Sequence, residues 1–178
     1  LKIMKLNHNK IFENRIMRLI LIAILIPILL SFKSYYLESE TNFYKCMIQL
    51  KNYDGEGAYI VVSLLNPNGE YEKTLYVQGQ DDDWYSEIFS WWKFYGKKRN
   101  NIDGITAATV KGGERTVQIL EIEKTKINSG YFLRFESAVE DIRYYQNEIE
   151  LEITDKNLKK QTKGKGFIKY IRMIQQVY

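Results

Sequence analysis

Residues 58–77, AYIVVSLLNPNGEYEKTLYV, decide the fold class. The first eight, from Ala58 to Leu65, are apolar on both faces, as expected of a central strand buried on two sides. Pro67-Asn-Gly-Glu70 then turns the chain, because Asn-Gly accepts the positive φ that a tight hairpin demands. Residues 71–77 return as the partner strand.

Working outward, residues 44–51 alternate as a strand, and Asp54-Gly-Glu-Gly57 turns it toward the hairpin. Cys46 is the only cysteine, so the chain can make no internal disulfide. Its phase with Tyr44, Ile48 and Leu50 marks it as a small core residue. Gly112-Gly113 restarts β-structure, and residues 115–123, 131–140 and 144–153 are the next strands. Tyr131, Leu133 and Phe135 share one face, with Arg134 and Glu136 on the other. Glu148, Glu150 and Glu152 alternate with Ile149, Leu151 and Ile153 and are expected on a solvated face, since same-face strand neighbours about 7 Å apart do not converge on a metal. Residues 154–166 form a lysine-rich surface loop, and residues 167–178 are assigned as a last strand. The expectation is a mainly β fold: an immunoglobulin-like antiparallel β-sandwich of about seven strands over residues 44–178.

One helix interrupts the strands. Asp81-Asp82-Asp83 supplies capping oxygens and negative charge to an N-terminus. Trp84, Ile88, Trp91 and Tyr95 fall on one face, with Phe89 and Trp92 beside them, and Gly96 suits the left-handed cap. The pattern predicts an amphipathic helix over 83–95. Its aromatic stripe packs on the sandwich or, alternatively, offers a platform for a flat ligand.

Residues 1–33 read as a signal peptide or short N-terminal anchor. Lys2, Lys5, Lys10, Arg15 and Arg18 precede the apolar run LILIAILIPILL, 19–30. That run is shorter than the roughly 20 residues a spanning helix needs. It predicts export to the periplasm or cell envelope, with membrane attachment if uncleaved. Residues 34–43 read as a polar tether. The net charge of +4 is carried by residues 1–32, and the remainder is balanced, which excludes an electrostatic footprint for nucleic acid.

The single histidine is His8, so the domain has no imidazole for a Ser-His-Asp or Cys-His arrangement. Neither a P-loop, a G-x-G-x-x-G nor an H-E-x-x-H occurs. No catalytic residue, metal site or cofactor is expected, and the protein is expected not to be an enzyme.

The loop behind the helix reads Asn101-Ile-Asp-Gly-Ile-Thr-Ala-Ala-Thr-Val110. Together with the Asn68-Gly69 turn, Trp84, Trp91-Trp92, Asp103 to Thr109, Gly112-Gly113, Tyr131 to Glu140 and Tyr145, it resembles the predicted periplasmic proteins of domain of unknown function 2271. The resemblance covers roughly residues 44–155. Asp103, Gly104, Trp84, Trp91 and Trp92 carry the motif. It implies a place beside PepSY-type membrane proteins and flavin transferases, hence an accessory role in extracytosolic flavin-linked electron transfer or metal reduction. The loop also resembles sequences in which flavin mononucleotide is esterified to a threonine, with Thr109 the first candidate and Thr106 the second. Ala107 stands where that pattern has glycine, and Val110-Lys111 adds no hydroxyl after Thr109. The alternative for both threonines is to cap the loop behind an Asp103-Gly104 turn. Three functions remain open: a non-catalytic docking partner, a covalent flavin carrier, and an envelope adhesion or structural module.

Overall fold

A computed structural model describes residues 41–98 and 105–176. The expected N-terminal signal or anchor, most of the tether, and Asp103 and Gly104 lie outside the described residues. Among the described residues the elements run β1 (Thr41–Leu50), β2 (Tyr59–Leu65), β3 (Tyr71–Gln78), a 3-10 helix (Asp82–Glu87), α1 (Phe89–Lys98), β4 (Thr106–Ala107) and β5 (Arg115–Glu123). Then follow a short 3-10 turn (Lys124–Lys126), β6 (Phe132–Val139), β7 (Arg143–Glu152), α2 (Asp155–Leu158), β8 (Thr162–Lys163) and β9 (Ile168–Gln176). They form two sheets, β5-β1-β9-β8 and β4-β3-β2-β6-β7. The fold is mainly β. All pairs are antiparallel except β3 with β4.

The inner faces of the two sheets share one core. Cys46, Ile48, Leu120, Ile168 and Ile171 come from one sheet, and Ile60, Val62, Leu133, Phe135 and Ile149 from the other. Cys46 is fully buried there, and burial pushes its thiol up to about 12. All seven residues of β2 are buried. Its second apolar face is explained by a second layer: Tyr59 and Val61 pack under the helical segment with Tyr85, Ile88 and Trp91. In the hairpin, Gly69 takes φ 79°, and Asn66 organises the turn by accepting from the Asn68 and Glu70 amides at 2.9 and 3.0 Å.

Besides a short helix, α2, that buries Leu158 within the expected 154–166 loop, the structure differs from the sequence expectations in four places. Two further strands, β4 and β8, have two residues each, and hydropathy alternation cannot register elements so short. Strand β1 starts at Thr41, inside the expected tether, because residues 41–43 pair with residues 121–123 of β5. The single helix expected over 83–95 is two segments. Ile88, at φ −89° and ψ 58°, closes the 3-10 helix, and α1 then continues past Gly96 to Lys98. Gly96 is thus inside the helix, where a Cβ would lie 3.3 Å from the Trp92 indole.

The fourth difference concerns the three glutamates of β7. Glu150 and Glu152 are exposed, but Glu148 has zero exposure. Phe135 pairs with Ile149 while Ser137 pairs with Tyr145, so β7 carries two extra residues against Glu136. This bulge turns Glu148 inward. There its carboxylate accepts from the Gly166, Phe167 and Ile168 amides at 2.5, 3.0 and 3.3 Å and from the Ser137 hydroxyl. One side chain of one sheet therefore fixes the loop that enters β9 of the other.

Candidate acidic-aromatic site

The site is built on the outer face of the five-stranded sheet. Asp81 caps the 3-10 helix, its carboxylate accepting from the Asp83 amide at 3.2 Å. The carboxylates of Asp81, Asp82 and Asp83 lie within 4.8 Å of one another, all exposed; Asp81 is the cap, and Asp82 and Asp83 place negative charge in the first turn. The Tyr85 hydroxyl donates to the Gly79 carbonyl at 2.9 Å, tying the segment to the end of β3. Trp91 is fully buried, stacks on Tyr95 at 4.8 Å between centroids, and meets Tyr85 edge-on at 5.2 Å. Its Nε1–H donates to Thr74 Oγ1 at 2.9 Å. Trp91→Phe is expected to cost about 1–2 kcal/mol, from the lost hydrogen bond and the smaller ring. A shift in the urea midpoint measures it, and an unchanged midpoint would show that the indole contact contributes nothing net.

Beneath this layer lies Glu136, which has zero exposure. Tyr71 donates to one carboxylate oxygen at 2.7 Å and Tyr144 donates to the other. Burial pushes the Glu136 carboxyl up to about 7, against the opposing pull of the two tyrosine hydrogen bonds and the Arg134 charge. The same proximity raises both tyrosines, first through burial and then through the Glu136 charge. Arg134 pairs with Glu150 at 2.7 Å and lies 5.3 Å over the Tyr71 ring. Ser63, directly across from Arg134 on β2, has a buried Oγ with no hydrogen-bond partner among the described residues.

Tyr144 connects this centre to the surface. Its ring meets Phe89 edge-on at 4.6 Å, and it also lines a cleft of about 270 Å³. Tyr59 and Trp84 form the other aromatic walls, and Glu87, Glu140 and Asp141 contribute carboxylates. A tight turn presents the last two: the Ile142 amide donates to the Val139 carbonyl at 3.1 Å, and Asp141 takes φ 56°. Burial and the neighbouring charges of Asp141, Glu56 and Asp81 hold Glu140 above the ordinary carboxylate value.

The residues singled out from sequence are divided by the structure. Trp84, Trp91 and Trp92 do join one aromatic cluster with Tyr85 and Tyr95. They differ in role, since Trp91 is core whereas Trp84 faces the cleft. Thr106 is half-buried in β4, paired with Val77. Thr109 is exposed and lies over Gly57, where a Cβ would come within 2.5 Å of its Oγ1. Sequence reasoning missed Glu136, Tyr71, Tyr144 and Tyr59. The available signal was a strand, Leu133 to Val139, that carries Glu136 beside Arg134 on the face opposite Leu133 and Phe135, in a chain with an aromatic helix to cover it.

The motif order that spans these elements also decides the relationship. A family model described as Predicted periplasmic protein (DUF2271) matches residues 41–170. The chain belongs to that family. For this DUF2271 protein no curated protein and no solved structure gives a match. The matched span of the DUF2271 domain includes every strand except the end of β9, together with Glu136, its two tyrosines and the cleft.

Proposed function

We propose that the protein is a non-catalytic, exported accessory module that docks with an extracytosolic membrane redox or metal-reduction assembly, a PepSY-type membrane protein being the partner suggested by the family resemblance. The observation that carries the docking reading is the disposition of reactive groups. Glu136 is held by two tyrosines, Glu148 by three backbone amides, and Cys46 is sealed in the core, while the cleft by Trp84 is open. Groups already satisfied internally support the architecture, whereas an open aromatic and acidic cleft supports binding. An outer sheet face offers a weaker alternative surface. Its exposed Ile119 and Ile174 are separated by Lys45 in the strand register, which breaks up the apolar area. Within this reading the two-sheet architecture is taken as immunoglobulin-like.

The test is affinity purification of the full-length chain from its native membrane. A colourless protein that brings down a PepSY-type membrane protein is the expected result. Recovery without such a partner would overturn the reading.

The exposure of Thr109 favours one second reading, a covalent carrier of flavin mononucleotide. Thr106, half-buried and strand-paired, is less accessible. Co-expression with a flavin transferase followed by mass analysis decides it: an adduct on the Thr109 peptide, lost in Thr109→Ala, supports the carrier, and an unmodified peptide removes it.

A further inference from the structure

One wall of the cleft is a tyrosine whose hydroxyl bonds nothing in the protein. Tyr59 is only 7% exposed, and among the described residues its hydroxyl has no hydrogen-bond partner. The oxygen itself is not sealed from solvent, so it is open to a group that enters the cleft. The ring cannot turn away freely, because it lies against Gly79, which adopts φ 121° and leaves no space for a Cβ beneath the ring. Tyr59 is therefore held with its polar end unfilled on the wall of the cleft.

The other groups in the cleft define what would complete it. Glu87, Glu140 and Asp141 form no ion pair among the described residues. Asp81 and Glu56 add negative field at Glu140. Among the described residues Arg143 is the sole lining cation, and its guanidinium is engaged 5.2 Å over the Tyr145 ring. Trp84 and Tyr144 supply aromatic surface, and Ala138 and Val139 supply aliphatic surface. The chemistry is negative at the rim and aromatic on the walls, with one free hydroxyl.

We propose that this cleft binds the side chain of a lysine presented by a partner polypeptide. The ammonium is placed among the rim carboxylates and the Tyr59 hydroxyl, and the methylene stem runs along Trp84 and Tyr144. An ammonium gains from aromatic faces as well as from carboxylates, and its stem gains from apolar walls. An arginine fits less well, since the three acids come from two separate elements and present no paired fork. A dehydrated metal ion would find aromatic and aliphatic walls where it needs convergent oxygens. The inference rests on the docking reading above and names the chemistry of the partner at that site.

The test uses the full-length chain, with pentalysine as probe and ε-acetylated pentalysine as its uncharged counterpart. Binding is followed by calorimetry and by tryptophan fluorescence. Pentalysine is expected to bind and the acetylated peptide not to. Trp84→Ala, which removes no charge, should weaken binding by about ten-fold, and Glu140→Gln with Asp141→Asn by at least as much. Glu121→Gln with Glu123→Gln, on β5, removes the same formal charge away from the cleft and should leave affinity unchanged. Equal binding of the acetylated peptide overturns the proposal. So does equal loss in the β5 pair, or wild-type affinity in Trp84→Ala, since general surface charge would then hold the peptide. Circular dichroism on each variant separates loss of binding from loss of fold, and Asp141→Asn alone serves if Trp84→Ala unfolds. The two readings fail separately. Pentalysine binding with no co-purifying membrane partner supports the site and removes the docking assignment, while a partner retained by a chain that ignores pentalysine removes the site alone.

Discussion

Replacing Glu148 by alanine is expected to lower the stability of the domain by about 3–5 kcal/mol, because it strands several buried donors at once. The carboxylate accepts from the Gly166, Phe167 and Ile168 amides and from the Ser137 hydroxyl. A Cβ at Gly164 or Gly166 would overlap the Glu148 oxygens, so the loop closes directly onto the carboxylate. Urea denaturation measures the loss, and amide exchange at residues 166–168 localises it. Glu148→Gln keeps the shape and one acceptor oxygen and should lose about 1–2 kcal/mol. A Glu148→Ala midpoint equal to wild type would mean that the carboxylate does not fix the entry to β9.

The second large effect is a dependence of stability on pH from Glu136. Its carboxyl is pushed from 4.5 up to about 7, chiefly by burial. A raised carboxyl binds a proton more readily in the folded state than in the unfolded one. Its favourable contribution is therefore fully present below about pH 4.5 and is lost as pH rises to about 7. The separation of the two values corresponds to about 3 kcal/mol. Other carboxylates titrate in the same window, so the informative quantity is wild type minus Glu136→Gln. The glutamine variant cannot ionise, and a tyrosine hydroxyl can reverse to accept from its amide. Relative to wild type, Glu136→Gln is expected to gain stability steadily from about pH 4.5 to about pH 7 and then level off. Parallel stability curves for the two proteins across that range would remove Glu136 as the source.

These two glutamates also show where sequence reading stops. Both lie on strands whose positions were legible, because alternation, the Asn-Gly turn and glycine punctuation are local signals. Alternation correctly put Glu136 opposite Leu133 and Phe135. It could not show that this opposite face is roofed by Tyr85, Ile88 and Trp91, which are distant in sequence. For Glu148 even the face was misread, since a two-residue bulge changes the alternation only where β7 meets β6. The aromatic helix was legible as an element, but its break at Ile88 was not. That break lets Tyr85 and Trp91 both reach the sheet while Trp84 turns to the cleft.

The sequence by itself determined a mainly β domain with a central hairpin, an inserted aromatic helical segment and membership of the DUF2271 family. Each of these rests on the order and spacing of neighbouring residues, which no partner segment can alter. Only the tertiary structure decided that two strand glutamates are buried, that Tyr59 keeps an unpartnered hydroxyl, and that acids from the 3-10 helix and from the β6–β7 turn meet in one cleft. The physical reason is that burial, hydrogen-bond satisfaction and local field depend on what packs over a residue. Here the covering groups come from parts of the chain that local periodicity does not connect.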